Sequence, residues 1–477
     1  MTGMAETAHP KRRWLRLTPG WLPVVLLVVE GLLWLSERFH WFAFNQHKGW
    51  TVLIAVATAG VAMLLMLLWF VASLLFRWRF QFSLRPLLVL TVAVTIPCGW
   101  TAAEMTKARE QREAVEAIGK LGWVVYDYQL DPSDEPIPNA ELPGPVWLRT
   151  LLGDDFFKSA IAVWLNTGEV TDAALKDLKG LAQLRWLWLD QSRVTDTGLE
   201  HIEGLTQLRW LNLRGAHVGD AGLEHLKGLT QLQRLDLTDT KVTDAGLSHL
   251  KGLARLQRLE LDATQVTGVG LGHLKGLARL QELDLDRTQV TDAGLQHLKA
   301  LIQLRHLSLY DTRVTDAGLE HLKALTQLRH LSLSYTRVTD AGLEHLKALT
   351  QLRHLNLGIT LVTDAGLEQL EGLTQLEQLG LDYTKVTDAG LECLRGLTQL
   401  RGFFLDGTGV TDAGLEHLKG LIQLKELWVS KSKITDAGLE CLKGLTQLKE
   451  LCVRDTQVTE AGVQRLQRAL PNCQIYR

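Results

Sequence analysis

The chain has 477 residues, a formal net charge of −2, 22% charged residues and five Cys. That balance excludes a strongly basic nucleic-acid binder, a disulfide-stapled secreted mini-domain and a disordered chain. The mean hydropathy is slightly positive, +0.03, and the excess sits at one end: eight of the fifteen Trp and seven of the eleven Phe precede residue 101. Charge is divided at the same point, with nine Lys/Arg against three Asp/Glu in residues 1–103 and 42 against 50 in the rest. The division points to a membrane segment joined to a mildly acidic folded body.

Three apolar stretches open the chain. Residues 50–76 contain 27 residues without a charge, enough at ~1.5 Å of rise per residue to cross a hydrocarbon core of roughly 30 Å. Residues 86–103 are again uncharged, and residues 21–35 are interrupted by Glu30. Region 1–103 is therefore expected to hold about three transmembrane helices. A cleaved signal peptide is the other reading of 21–35, but no small-residue cleavage site follows it. Lys11, Arg12, Arg13 and Arg16 precede the first stretch, and Arg77, Arg79 and Arg85 separate the second from the third. The positive-inside rule then puts the N-terminus in the cytoplasm and everything after residue 104 outside it. Lys107, Arg109, Arg112 and Lys120 run against that bias.

Residues 104–159 are expected to form an N-terminal cap, because the first unit of a stack otherwise exposes its core. The spacing predicts a helix over 104–121, a strand over 123–130 and a short apolar helix around 146–152. Between the last two lies a loop with five Pro in fifteen residues, too many for a regular element.

From residue 160 the sequence repeats every 24 residues without an insertion, thirteen units over 160–471. A Thr-Asp pair recurs at Thr171, Thr195, Thr243, Thr291, Thr315, Thr339, Thr363, Thr387, Thr411 and Thr435. In the unit 304–327, Leu304, Leu307 and Leu309 alternate as a short strand should, and Val314 turns inward. Thr315 is placed to cap a helix, Asp316 to meet its dipole, and Leu319, Leu322 and Leu325 to form its buried stripe. Gly318 removes a side chain where helix and sheet would approach. Residues 472–475 are expected to add a partial last strand, so that 472–477 caps the far end.

The L-x-x-L-x-L run with VTDAGLxxL resembles the leucine-rich repeats of bacterial proteins. That resemblance implies an α/β solenoid, with a parallel sheet on a concave face, helices on the convex face, and recognition of a protein ligand rather than chemistry. One departure is that Thr or Ser (Thr240, Thr264, Thr288) stands where the family has a buried Asn or Cys; a hydroxyl replaces part of that Asn ladder with fewer hydrogen bonds.

Side chains flanking the buried strand leucines are expected on the concave surface, lined over roughly 60 Å by thirteen strands about 4.8 Å apart. The first units present Trp186, Trp188 and Trp210. Then come Asp236, Asp239, Glu260, Asp262, Glu282, Asp284 and Asp286, followed by His306, His330 and His354 with Tyr310 and Tyr335 beside them. Tyr383, Phe404 and Trp428 close the series. Aromatic anchors beside an acidic strip read as a binding surface for a basic or cationic partner. Packing of the Trp cluster on the cap, and drift after duplication for the acids, are the plainer alternatives. The three His either hold a metal ion or form a solvated ladder. The Thr-Asp pairs suit helix capping better than calcium. A second series on the helices, His201, His225, His249, His273, His297, His321, His345 and His417, would resist protonation if its rings packed together.

No nucleotide-binding, hydrolase, zinc-protease or redox motif is present, so neither an enzyme nor a cofactor is expected. The reading is a membrane-anchored recognition protein with its repeats outside the cytoplasm. The alternatives are a cytoplasm-facing scaffold and a purely structural envelope protein.

Overall fold

The computed structural model describes residues 84–477 apart from 132–134 and 166–167, together with seven isolated positions between 57 and 71. The apolar stretch 21–35, and nearly all of 50–76, lie outside the described residues. Among the described residues no helix is long and apolar enough to cross a membrane. The third stretch falls within a 35-residue helix, α1, Leu84–Ile118. A span ending at 103 and a separate helix from 104 were expected. Ala102, Ala103, Glu104 and Met105 are all good helix formers, so nothing breaks the chain there and one helix runs through both.

The chain divides into two compact units, Met1–Glu113 with Tyr126–Ser159, and Ala114–Val125 with Ala160–Arg477. In the first, Ala108 of α1 packs with Leu148, Phe156 and Phe157, and Trp100 and Leu152 close over them. Leu148 and Leu152 belong to the second helix, α2, Val146–Leu152. Gly144 precedes it at φ +92°, and a Cβ there would lie 2.9 Å from the Phe157 ring.

The second unit is built on a 15-stranded sheet whose strands lie in chain order. Its first strand, β1, is Trp123–Tyr126, shorter than the expected 123–130. Residues Asp127–Gln129 wind into a 3-10 turn, held where the Tyr126 N–H donates to Gln129 Oε1 at 2.9 Å. Next comes β2, Ala160–Trp164, and then one three-residue strand per unit. The last, β15, is Gln474–Tyr476. Pairing is parallel with a constant offset of 24, as in His306↔His330 and Leu307↔Leu331. The central strand residue is buried throughout, from Leu187 to Leu451.

Each return segment except the last, the ten-residue helix Glu460–Ala469, is tighter than the expected helix. In the representative unit it is one α-helical turn, Asp316–Leu319, followed by a 3-10 segment, Glu320–Ala324. The leucines at 319, 322 and 325 are three residues apart, the 3-10 period, so all three face the core and are fully buried.

The Thr-Asp pair does more than cap. Asp292 Oδ1 accepts the backbone N–H of Thr315 at 2.7 Å, and its Oδ2 accepts the Thr315 hydroxyl at 2.7 Å. The same two bonds link Asp316 to Thr339, Asp340 to Thr363, and Asp364 to Thr387. Each aspartate thus ties its unit to the next. In some units the threonine oxygen also accepts a helix N–H, as Thr339 does from Ala341 at 3.3 Å. Gly318 faces this carboxylate rather than the sheet: a Cβ there would lie 2.5 Å from Asp292 Oδ1. The ladder keeps only its backbone bond at Gly219, to Asp196, and loses the carboxylate altogether at Gly268. There the return segment is 3-10 alone, Gly270–Gly276, and a Cβ on Gly268 would lie 2.6 Å from Gly294 Cα. Without the carboxylate the two backbones close on each other.

The strand-end hydroxyls bond within their own unit. Thr240 Oγ1 donates to Leu237 O, and Thr264 Oγ1 to Leu261 O, both at 2.6 Å. They close a turn whose third residue sits at positive φ in unit after unit, including Asp239, Asp311, Tyr335 and Tyr383 at 51° to 59°.

Partial burial raises the pKa of Asp172, but the Thr195 backbone and hydroxyl donors override this and hold it below the usual Asp range. The contribution of Asp172 is therefore present above the unfolded Asp pKa and lost as pH falls through the lower folded value. Asp292→Ala should cost about 1.5–3 kcal/mol in urea unfolding. Gly318→Ala should cost about 1–3 kcal/mol by overpacking. Because the added methyl collides with the Asp292 carboxylate, the double variant should lose less than the sum of the two.

Candidate recognition surface on the sheet

Strand register converts the 24-residue period into columns on the outer face of the sheet. The first strand position carries Trp186, Trp210, Arg234, Arg258, Glu282, His306, His330 and His354. The third carries Trp164, Trp188, Asn212, Asp236, Glu260, Asp284, then Ser308 and, further on, Phe404 and Trp428. Asp262, Asp286 and Tyr310 lie two residues past this column. Asp239, Tyr335 and Tyr383 occupy the left-handed turn.

Tryptophans open the face. Trp164 and Trp188 stack at 4.3 Å and 9°, and Trp188 meets Trp210 at 4.9 Å. The Arg234 guanidinium lies 5.0 Å from the Trp210 ring centroid. Trp164 and Arg234 were not singled out in the sequence, although each stands a multiple of 24 residues from a tryptophan that was. The ring faces are largely spent on one another.

Six of the seven acids are engaged, and Asp239, in the left-handed turn, is exposed. Arg258 donates to Glu260 at 2.5 Å and to Glu282 at 2.7 Å. Arg287 grips Asp262 through Nε and Nη2, at 2.8 and 2.5 Å. Asp236 accepts the Thr238 N–H at 2.8 Å, Asp284 the Asp286 N–H at 2.9 Å, and Asp286 the Tyr310 N–H at 2.8 Å. Three carboxylates thus pair with arginines and three brace the strand ends. The sequence order hid this, because the arginines are interleaved with the acids. Burial, with Asp286, Asp262 and Glu260 nearby, pushes the Asp284 carboxyl up to about 7. Burial and the neighbouring Asp236 raise Glu260 as well.

The three sheet histidines come together. His306 and His330 stack at 4.1 Å, and His330 and His354 at 5.2 Å. Gln378 Oε1 lies 2.9 Å from His354 Nδ1. Burial first, then His306 and His354, lower the His330 pKa to about 4, and burial lowers that of His306. Among the described residues no group of three His, Cys, Asp or Glu is placed to hold a metal ion. Mutual packing was conditional for the helix series, and it belongs to the sheet trio instead. His225, for example, meets Glu203 at 2.5 Å rather than another ring.

Aromatic side chains mark the far half. Tyr310 and Tyr335 meet edge to face at 5.1 Å, and Phe404 and Trp428 at 5.2 Å. Lys431 Nζ donates to the Tyr383 hydroxyl at 3.0 Å. Tyr335, Tyr383 and Trp428 are exposed, at 47%, 48% and 39%.

Two families describe this pattern. A leucine-rich repeat region matches residues 165–316, and a second leucine-rich-repeat family matches 324–347. An internalin (inlF) from Listeria monocytogenes is 23% identical with a TM-score of 0.50, covering 64% of this chain and 92% of its own. A leucine-rich-repeat protein of Leptospira interrogans is 18% identical with a TM-score of 0.48, covering 63% and 80%. At these identities the likeness is one of fold. No curated protein matches the sequence.

The sheet face should titrate in two opposed ways. His330 has a folded pKa of about 4, below the ordinary His value, so its contribution is present above ~6.5 and lost as pH falls towards the folded value. Asp284 has a folded pKa of about 7, above the ordinary Asp value, so its contribution is present below ~3.9 and lost as pH rises through the folded value. In urea unfolding between those limits, His330→Gln should remove the rising slope and Asp284→Asn the falling one. Unchanged slopes would show that neither group is coupled to folding.

Proposed function

We propose that this leucine-rich-repeat protein is a non-catalytic recognition module, binding a protein partner on the outer face of its sheet and held at a membrane by its N-terminal region. Leucine-rich-repeat proteins typically mediate protein–protein recognition. The observation that carries the reading is the exposure of Tyr335 and Tyr383 at φ 59° and 54°. The left-handed region costs an L-residue roughly 1–2 kcal/mol, and other units fill the same position with Gly215, Gly407 or Asp311. The turn imposes the same angle on Ala263, Arg287, Ile359 and Lys431, and a half-exposed tyrosine at that edge contributes little to the core and offers its ring to a partner. Trp428 extends the same ridge. The acidic strip, with seven carboxylates against Arg234, Arg258 and Arg287, keeps a surplus of negative charge and favours a partner with a basic flank.

Membrane attachment is supported by the uncharged run 50–76 and by Val61, Leu64, Leu67, Leu68 and Val71, all more than 40% exposed. The basic residues before the first stretch and between the second and third favour repeats outside the cytoplasm. Lys107, Arg109 and Arg112, which follow the third stretch on α1, favour the opposite orientation and a cytoplasm-facing scaffold. Protease added to intact wall-stripped cells decides the side: a tag after Arg477 is expected to be cleaved while a cytoplasmic control survives. A protected tag that detergent exposes reverses the orientation.

For the surface itself, full-length protein carrying Tyr335→Asn, Tyr383→Asn and Trp428→Ala should unfold no earlier in urea than the parent. It should lose at least about tenfold in partner capture, since hot-spot aromatics each contribute roughly 2 kcal/mol or more. Ile302→Ala with Ile422→Ala, exposed outside the strands, should keep full capture. Capture retained by the triple variant would rule the ridge out. Charge reversal at Asp236 and Asp284 is the poorer test, because those carboxylates brace the strand ends.

A further inference from the structure

We infer that α2 lies in the interfacial layer of a lipid bilayer, with Val146, Trp147 and Leu151 entering the boundary between headgroups and acyl chains. The inference rests on the membrane-anchor reading above.

Helix α2 carries apolar side chains both inward and outward. Leu148 and Leu152 turn inward onto Phe156, Phe157 and Ala108. Val146, Trp147 and Leu151 remain 68%, 69% and 70% exposed. The pairs 147/151 and 148/152 are each four residues apart, so each pair shares a helix face. Water suits a helix with one apolar stripe and a polar back. This one is apolar beyond its buried stripe, and its outer apolar side chains have no partner among the described residues.

Its place along α1 identifies what covers it. The cluster under α2 includes Trp100 and Ala108 of α1. Trp100 stands at the end of the uncharged stretch 86–103, and the first charges beyond it are Glu104 and Lys107. Trp100 and Ala108 are about 12 Å apart along a helix axis. The polar layer on each side of a bilayer is roughly 5–8 Å thick. If the stretch lies in hydrocarbon, α2 is held beside α1 at the depth where hydrocarbon gives way to headgroups. The chain before α1 points the same way, because residues 1–83 carry the two other apolar stretches. Trp is the side chain enriched at that depth, and both Trp100 and Trp147 are positioned for it. Arg109 and Arg112, one and two turns beyond Glu104, would face anionic headgroups. A protein partner needs no such coincidence between the exposed patch and the end of an uncharged helix segment.

The test uses the full chain in native membranes with Trp147→benzoylphenylalanine, and Ile302→benzoylphenylalanine as the exposed control in the repeats. After illumination, adducts are identified by mass spectrometry, and each sample is also washed with alkaline carbonate. The expected result is a phospholipid adduct at position 147 at least about tenfold above that at 302, on a chain that carbonate does not release. Leu151→benzoylphenylalanine reads the same face and guards against a single misfolded variant. A chain that resists carbonate but forms no lipid adduct at 147 or 151, or crosslinks to protein there, overturns the inference and leaves the anchor standing. Release by carbonate without an adduct overturns both. Release with the adduct supports α2 as a peripheral lipid contact and overturns the anchor alone.

Discussion

Everything in the repeat unit hangs on a carboxylate that serves its neighbour. A three-residue strand and a single α-helical turn cannot be stable alone, since nucleating so short a helix is unfavourable. The leucines supply the core, but an apolar core is non-directional and would tolerate sliding. Asp292 and its equivalents supply direction, binding the next unit's threonine through both its N–H and its hydroxyl. The carboxylate occupies the space above the following unit, so glycine must stand there, as Gly318 does. The absence of any insertion follows, because each aspartate must reach the residue 23 positions on, a threonine in all units but the one where Asp196 meets Gly219. At Gly268, where the carboxylate is missing, the backbones of Gly268 and Gly294 close up, while the next unit keeps its α-helical turn, Asp292–Leu295.

Rigid register has a price on the outer face. Residues 24 apart are neighbours, and duplication makes neighbours alike. Like aromatic rings can stack, as Trp164 does on Trp188. Like charges cannot, and the fold answers with arginines at 258 and 287, with carboxyls such as Asp284 drawn towards their protonated form, and with His330 held neutral. Much of the surface is thus occupied with itself. The aromatic rings that still show much of their surface are those at the turn edge and the far end, Tyr335, Tyr383 and Trp428.

The other unit obeys different physics. Its described core is a handful of aromatic and aliphatic side chains around Phe156 and Phe157, without a repeating hydrogen-bond ladder. A small core of this kind leaves apolar surface over, and on α2 that surplus is arranged as a face rather than scattered.

By itself the sequence determined the period, the thirteen units, the strand order and the buried leucines, because each is a local pattern written many times over. Leu304 to Leu309 reads as a strand in any of its copies, and the stacking rule for short units does the rest. It also marked most of the outward aromatic and acidic residues. Only the tertiary structure decided what those residues do. A strict period makes every offset of 23 to 25 residues equally common, so repetition cannot say whether Asp292 caps its own helix or holds Thr315, or whether Asp262 faces a partner or Arg287. Nor does the identity of Tyr335 reveal positive φ, since that angle is imposed by the turn that the Thr336 hydroxyl closes on Leu333. Those choices depend on contacts a few ångströms long between units, which exist only once the strands are in register.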